Sequence, residues 1–116
     1  MIRRFSEMVP QERENIRGGV GKGAVSDYLR PGEMAGVLAS SRVTLAPGAS
    51  IGAHPHLHED EFYLVLGGQG FGVLDEESFP VGPGDAFLCR AGHAHGLVNP
   101  GPGPLSFFAV LTRAAE

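Results

Sequence analysis

The residues with the most chemistry to offer stand together near the middle of the chain. Between Gly48 and Gly68 the sequence places His54, His56, His58, Glu59, Asp60 and Glu61 directly ahead of the apolar run Phe62 to Leu66. Imidazole nitrogen and carboxylate oxygen are donors that borderline divalent ions accept, so a dense set of them against a strand points to metal binding. A second cluster, Gly92-His93-Ala94-His95-Gly96, follows another short apolar stretch, and the two clusters hold all five histidines of the chain.

Strand geometry sorts these donors, because side chains two residues apart share a face. His54 and His56 project together, and so do Glu61, Tyr63 and Val65 on the next strand. If both faces look into one interior, two imidazoles and one carboxylate converge there, and the second histidine cluster is the source of a fourth donor. His58 falls where the chain turns among acidic neighbours, which places it at the surface. Tyr63, on the Glu61 face, is a candidate to present its hydroxyl to a bound ligand. Arg42 and Thr44 share a face of an earlier strand and are candidates for an anion anchor. Cys89, set among Phe87, Leu88 and Ala91, reads as a small buried hydrophobe rather than a nucleophile.

Positioning these groups falls to short extended elements. A chain of 116 residues is the size of one domain, and 18 Gly with 9 Pro imply many short elements joined by tight turns. Strands are expected over 24–29, 36–46, 51–56, 61–66, 71–74, 79–81, 86–90, 95–98 and 105–112, each bounded by Gly, Pro, Asn or Asp. No segment after residue 30 keeps a helical period, so the fold class is all-β, a sandwich or small barrel. Residues 1–23 read as an irregular segment ahead of a barrel spanning 24–116, with Pro10 to Asn15 able to form one turn of helix and 17–23 a flexible connector. The glycines of that connector do not make a phosphate loop, since Gly23 follows Lys22 where Ser or Thr is required.

Composition narrows the partners. A net charge of −4 with scattered basic residues argues against nucleic acid and anionic membranes, both of which need clustered Lys and Arg. No run approaches the ~20 apolar residues that span a bilayer, and the start of the chain lacks the apolar core of a secretory leader. The single cysteine forms no internal disulfide, so a soluble, cytoplasmic protein is expected.

The two clusters also resemble the paired motifs of the cupin family. Gly48, His54, His56, Glu61 and Gly68 fall at the spacings of the first motif, and Gly84, Gly92, His95 and Asn99 at those of the second, with Arg90 where that motif has Pro. Fifteen residues separate the motifs, the short interval of small bacterial cupins. The resemblance implies a double-stranded β-helix, or jelly-roll barrel, holding one divalent metal on His54, His56, Glu61 and His95. His58 and His93 match no ligand position, and Asn99 takes a turn position.

A set of three imidazoles and one carboxylate suits Mn, Fe, Ni, Co or Zn better than Ca or Mg, and leaves the ion positive enough to attract a small anionic or hydroxy-carbonyl ligand. The resemblance leads to a metal-dependent dioxygenase or decarboxylase, with a non-catalytic sensor or binding module and a sugar isomerase or lyase as alternatives. The Arg17-Gly18-Gly19 lead-in is similar to that of oxalate-decarboxylase-like cupins. However, Ile51 occupies the position where oxalate decarboxylases carry an arginine, three residues before the first ligand histidine. The outward row Phe62, Leu64 and Leu66 and the doubly apolar run Leu105 to Leu111 call for covering, as in a homodimer.

Overall fold

The computed structural model describes residues 1–114. Ten strands are present: β1 (Gln11–Glu14), β2 (Lys22–Leu29), β3 (Val37–Leu45), β4 (Ser50–Pro55), β5 (Glu59–Gly67), β6 (Gly70–Leu74), β7 (Glu77–Val81), β8 (Ala86–Cys89), β9 (Ala94–Val98) and β10 (Leu105–Arg113). They form two antiparallel sheets, one ordered β1-β2-β3-β10-β5-β8 and the other β4-β9-β6-β7. From β3 onward the chain passes back and forth between the sheets, so the two faces enclose one core. This is the expected all-β jelly-roll barrel.

Alternation within each strand decides what enters that core. On β3, Val43 and Leu45 are buried while Arg42 and Thr44 face away, and on β10 the inward set is Leu105, Phe107 and Ala109. Leu45, Leu97, Leu105, Phe107 and Val65 are almost wholly shielded from water. Side chains of that size each contribute about 1.5–3 kcal/mol on burial. Asn99, buried among them, ties the last long turn together: its amide donates to the carbonyls of Leu45, Ala46 and Gly103, and its oxygen accepts from Gly101 N–H at 2.9 Å.

Two expectations about the first half of the chain are corrected. Gln11–Glu14 is a strand rather than irregular chain or a helical turn, pairing with β2 in the register Gln11 to Val25 and Glu14 to Lys22. All four of its residues are exposed and polar, so no hydrophobic alternation announces it; the hairpin partner and the Lys22 to Glu12 ion pair at 3.2 Å hold it. Arg42 is not an anion anchor of the interior. Its guanidinium lies over the Phe5 ring, 4.1 Å from the centroid, on the outer face of the large sheet, and Thr44 hydrogen-bonds Ser106 there at 2.9 Å.

The β1–β2 loop, 15–21, is likewise fixed rather than flexible. It lies against β4, where Ser50 N–H donates to Val20 O at 2.8 Å and Val20 N–H to Ser50 Oγ at 3.1 Å. Gly19 and Gly52 let the two backbones meet: a Cβ at Gly52 would collide with the Arg17 carbonyl and stand 2.7 Å from Gly19 N. Gly52→Ala is therefore expected to destabilise the protein by about 1–3 kcal/mol, the usual range for overpacking. A denaturant midpoint equal to wild type would contradict this packing.

Candidate metal centre

The inner face of the small sheet supplies the histidines. β4 and β9 pair with His54 directly opposite His95. His56 lies one residue beyond β4, where its N–H donates to His93 O at 3.0 Å and its carbonyl accepts from Gly92 N–H at 2.7 Å, prolonging the pairing. A β-bulge between Ile51 and His54 lets both of these residues face inward although they are three apart. Glu61 comes from β5 in the opposite sheet, so the cluster bridges the two layers.

The four donors are close-packed. Glu61 Oε1 stands 3.1 Å from His56 Nε2 and 2.9 Å from His95 Nε2. His95 Nε2 is in turn 3.0 Å from His56 Nε2 and 3.2 Å from His54 Nε2, and all four donors lie within 4.8 Å of one another. Donors held about 2.1 Å from one ion at right angles are about 3.0 Å apart, whereas tetrahedral angles spread them to about 3.4 Å. Spacings of this kind are compatible with a divalent metal keeping further positions open. The tautomer of His54 agrees, because Gly52 O, 2.7 Å from Nδ1, can only accept. The ring proton therefore sits on Nδ1 and the Nε2 lone pair points at the cluster.

The electrostatics favour the ligating forms of His54 and Glu61. Burial pushes the His54 imidazole below its ordinary value, its hydrogen bond to Gly52 resists, and the charges of His95, Arg17 and His56 add to the lowering. For Glu61 burial works upward, but the hydrogen bond to His95 and the charges of the three imidazoles outweigh it, and the carboxyl ends below its usual range. Tyr63 stacks on His95 with ring centroids 4.4 Å apart. Burial and then the Glu61 charge hold its phenol well above the ordinary range, so it remains a neutral donor. Cys89 is wholly buried and its thiol is raised by burial, which leaves no thiolate.

A cavity of about 130 Å³ opens onto the cluster, bounded by Arg17, Val43, Ile51, Tyr63 and Phe107 with His54 and Glu61. A larger hollow of about 600 Å³ lies elsewhere, against Leu57, His58, Glu59 and Arg113, and none of the four donors lines it. His58 is exposed there, and His93 is exposed with its Nδ1 2.8 Å from Asp75 Oδ2, so both stand apart from the cluster. Arg17 and Arg13, which also line the smaller cavity, are not marked as site residues by any spacing or motif in the sequence. Only the glycines after Arg17 mark that loop as unusual.

Fold and cluster together define a two-sheet antiparallel β-barrel with a histidine and carboxylate site compatible with a divalent ion. A family model described as "Cupin domain" matches residues 41–111. The chain belongs to the cupin family. It is 33% identical over 112 residues to an "Oxalate-binding protein" of Thermotoga maritima, across 96% of this chain and 93% of that protein. A crystal structure of a predicted oxalate decarboxylase from the same organism superposes with a TM-score of 0.94 at 32% identity, covering 97% of this chain and 99% of the other. A sugar phosphate isomerase of the cupin superfamily from Silicibacter pomeroyi, at 24% identity, TM-score 0.80 and coverage of 98% and 76%, shares the fold.

Acid should weaken this site in a defined direction. Because His54 titrates below its ordinary 6.5 in the folded state, the unfolded chain takes up a proton below about pH 6.5 that the folded chain refuses until lower pH. Glu61, also lowered, contributes stability present above 4.5 and lost as pH falls through its folded value. Both slopes carry the same sign. The metal-free protein is expected to melt at progressively lower temperature as pH is reduced from 7 to 4, with a shallower slope for His54→Gln; circular dichroism melts showing no slope would contradict it.

Proposed function

We propose that residues 1–116 act as one cupin domain that binds a small carboxylate on a divalent transition metal (Mn, Fe, Ni, Co or Zn) held by His54, His56, Glu61 and His95, and that turns it over as a decarboxylase or dioxygenase. The observation that carries this reading is the cluster of four donors within 4.8 Å of one another, two of which, His54 and Glu61, line a cavity of about 130 Å³. A hollow of that size beside the donors, open to solvent at its mouth, suits a ligand of few heavy atoms. The name of the Thermotoga relative, an oxalate-binding protein, supports a carboxylate of that size.

A bound ion would supply Lewis-acid charge to the ligand carboxylate. The chain's own residues do the rest. Glu61, whose carboxyl lies below its usual range, would offset part of the ionic charge as a carboxylate. Val43, Ile51 and Phe107 keep water from the ligand, and Tyr63 offers a neutral hydroxyl beside Glu61. Non-catalytic oxalate binding is the second reading, favoured by the cavity's shortage of acid or base groups beyond the donor set and Tyr63.

Elemental analysis of untagged protein is expected to find one divalent transition metal per chain, and His54→Ala with His56→Ala to abolish it while the strand signature persists. Metal content unchanged in the double variant would refute the ligand assignment. With the identified metal restored, oxalate depletion or oxygen uptake supports turnover, and calorimetric oxalate binding without depletion supports the second reading.

We also propose a homodimer through the outer face of β5 and β8, where Phe62 lies opposite Leu88 and both, with Leu66, remain exposed. Sedimentation is expected to report twice the chain mass for wild type and a monomer for Phe62→Glu; a monomeric wild type would exclude it.

A further inference from the structure

The β1–β2 loop places an unusual residue in the wall of the cavity that His54 and Glu61 line. Arg17 sits in the left-handed region at φ 54 and ψ 35, a conformation that side chains with a Cβ adopt only under strain. Glycine would satisfy that backbone more readily, and Gly18 and Gly19 follow immediately. What position 17 adds to the loop is its side chain. The loop cannot swing away, since Gly19 packs backbone to backbone on Gly52, two residues before His54, and Val20 exchanges hydrogen bonds with Ser50.

Arg17 lines the same cavity as His54, Glu61 and Tyr63, and its charge reaches both the His54 ring and the Tyr63 phenol. Among the described residues it enters no ion pair, whereas Arg3, Arg4 and Lys22 each face a glutamate. Of the other polar groups of the cavity, Ser41 donates to Asp27 at 2.7 Å, Glu61 accepts from the imidazoles, and Arg13 donates one N–H to the Gln11 amide oxygen at 3.0 Å. Ile51 and Val43 add only hydrocarbon. Among the described residues Arg13 and Arg17 are both without an ion pair in the cavity wall, and of the two it is Arg17 whose charge reaches the donor cluster, at His54, and Tyr63 beside it.

We propose that Arg17 is a specificity-determining residue of this site: its guanidinium pairs with the distal carboxylate of a small dicarboxylate whose other end lies on the metal. The proposal rests on the metal-dependent carboxylate reading above and adds the dianion as the preferred ligand class. A monocarboxylate leaves Arg17 unused; a dicarboxylate spans both charges. Pairing a carboxylate with a guanidinium is worth about 10-fold to 100-fold in affinity.

The test is calorimetric titration of oxalate and of acetate into wild type, Arg17→Lys, Arg17→Gln and Arg17→Gly, all loaded with the native metal and checked for metal content and melting temperature. Arg17→Gln and Arg17→Gly are expected to keep full metal content and bind oxalate at least about 10-fold more weakly, with acetate changed less than about 2-fold. Arg17→Lys should lie between, and Arg17→Gly should melt no lower than wild type because it relieves the backbone. Undiminished oxalate affinity in Arg17→Gln, an equal loss for acetate, or loss of metal from the variants would overturn the role of Arg17 while leaving the metal reading standing. Wild type that takes up no metal, or that holds metal and ignores oxalate, would overturn the carboxylate reading and this proposal with it.

Discussion

The bulge in β4 governs the geometry of everything around it. Strict alternation from the buried Ile51 would turn His54 outward; the irregularity at Gly52 and Ala53 restores it to the interior beside His56. With that one residue of slack, the small sheet presents three imidazoles on one face while Ile51 still packs into the core. The same Gly52, lacking a Cβ, admits the β1–β2 loop to within backbone contact and so brings Arg17 to the cavity. One local departure from a regular strand thus sets both the donor cluster and the approach of the loop that carries Arg17.

Burying three imidazoles and a carboxylate is unfavourable in itself, because each loses hydration on leaving water. The protein offsets this by mutual satisfaction. Glu61 accepts from two rings, and His54 donates its Nδ1 proton to the backbone. His95 Nδ1 has no partner among the described residues, so the cluster is not fully satisfied as a set of protein groups. A metal ion would organise the lone pairs that face one another across the cluster, and an anion would complete its charge balance. Donors drawn from opposite sheets also mean that binding there would tie the two layers of the barrel together.

The outer and inner faces of the large sheet answer to different constraints. Inside, β10 and β3 are packed without solvent around Phe107 and Leu45; outside, Arg42 and Phe5 cover one end and Phe62, Leu66 and Leu88 stay open at the other. Covering the first end takes only the chain's own first residues. The second end is the region that a partner chain would have to cover.

The strands from β2 to β10, their turns and the shared face of Glu61, Tyr63 and Val65 were legible in the sequence, because period-two alternation and Gly or Pro punctuation are local signals; the bulge that keeps both Ile51 and His54 inward was not. The spacing of His54, His56, Glu61 and His95 was legible for the same reason. Strand β1 was not: Gln11–Glu14 carries no buried side chain, and only its pairing with β2 defines it. The direction of Arg42 depended on which of two faces looks inward, a choice that alternation leaves open and packing makes. Arg17 reaches the cavity through a loop closed by contacts between residues about 35 positions apart, a distance at which sequence spacing says nothing about proximity. Local order was written in the residues; which faces and loops meet across the barrel was decided only when the two sheets closed on a shared core.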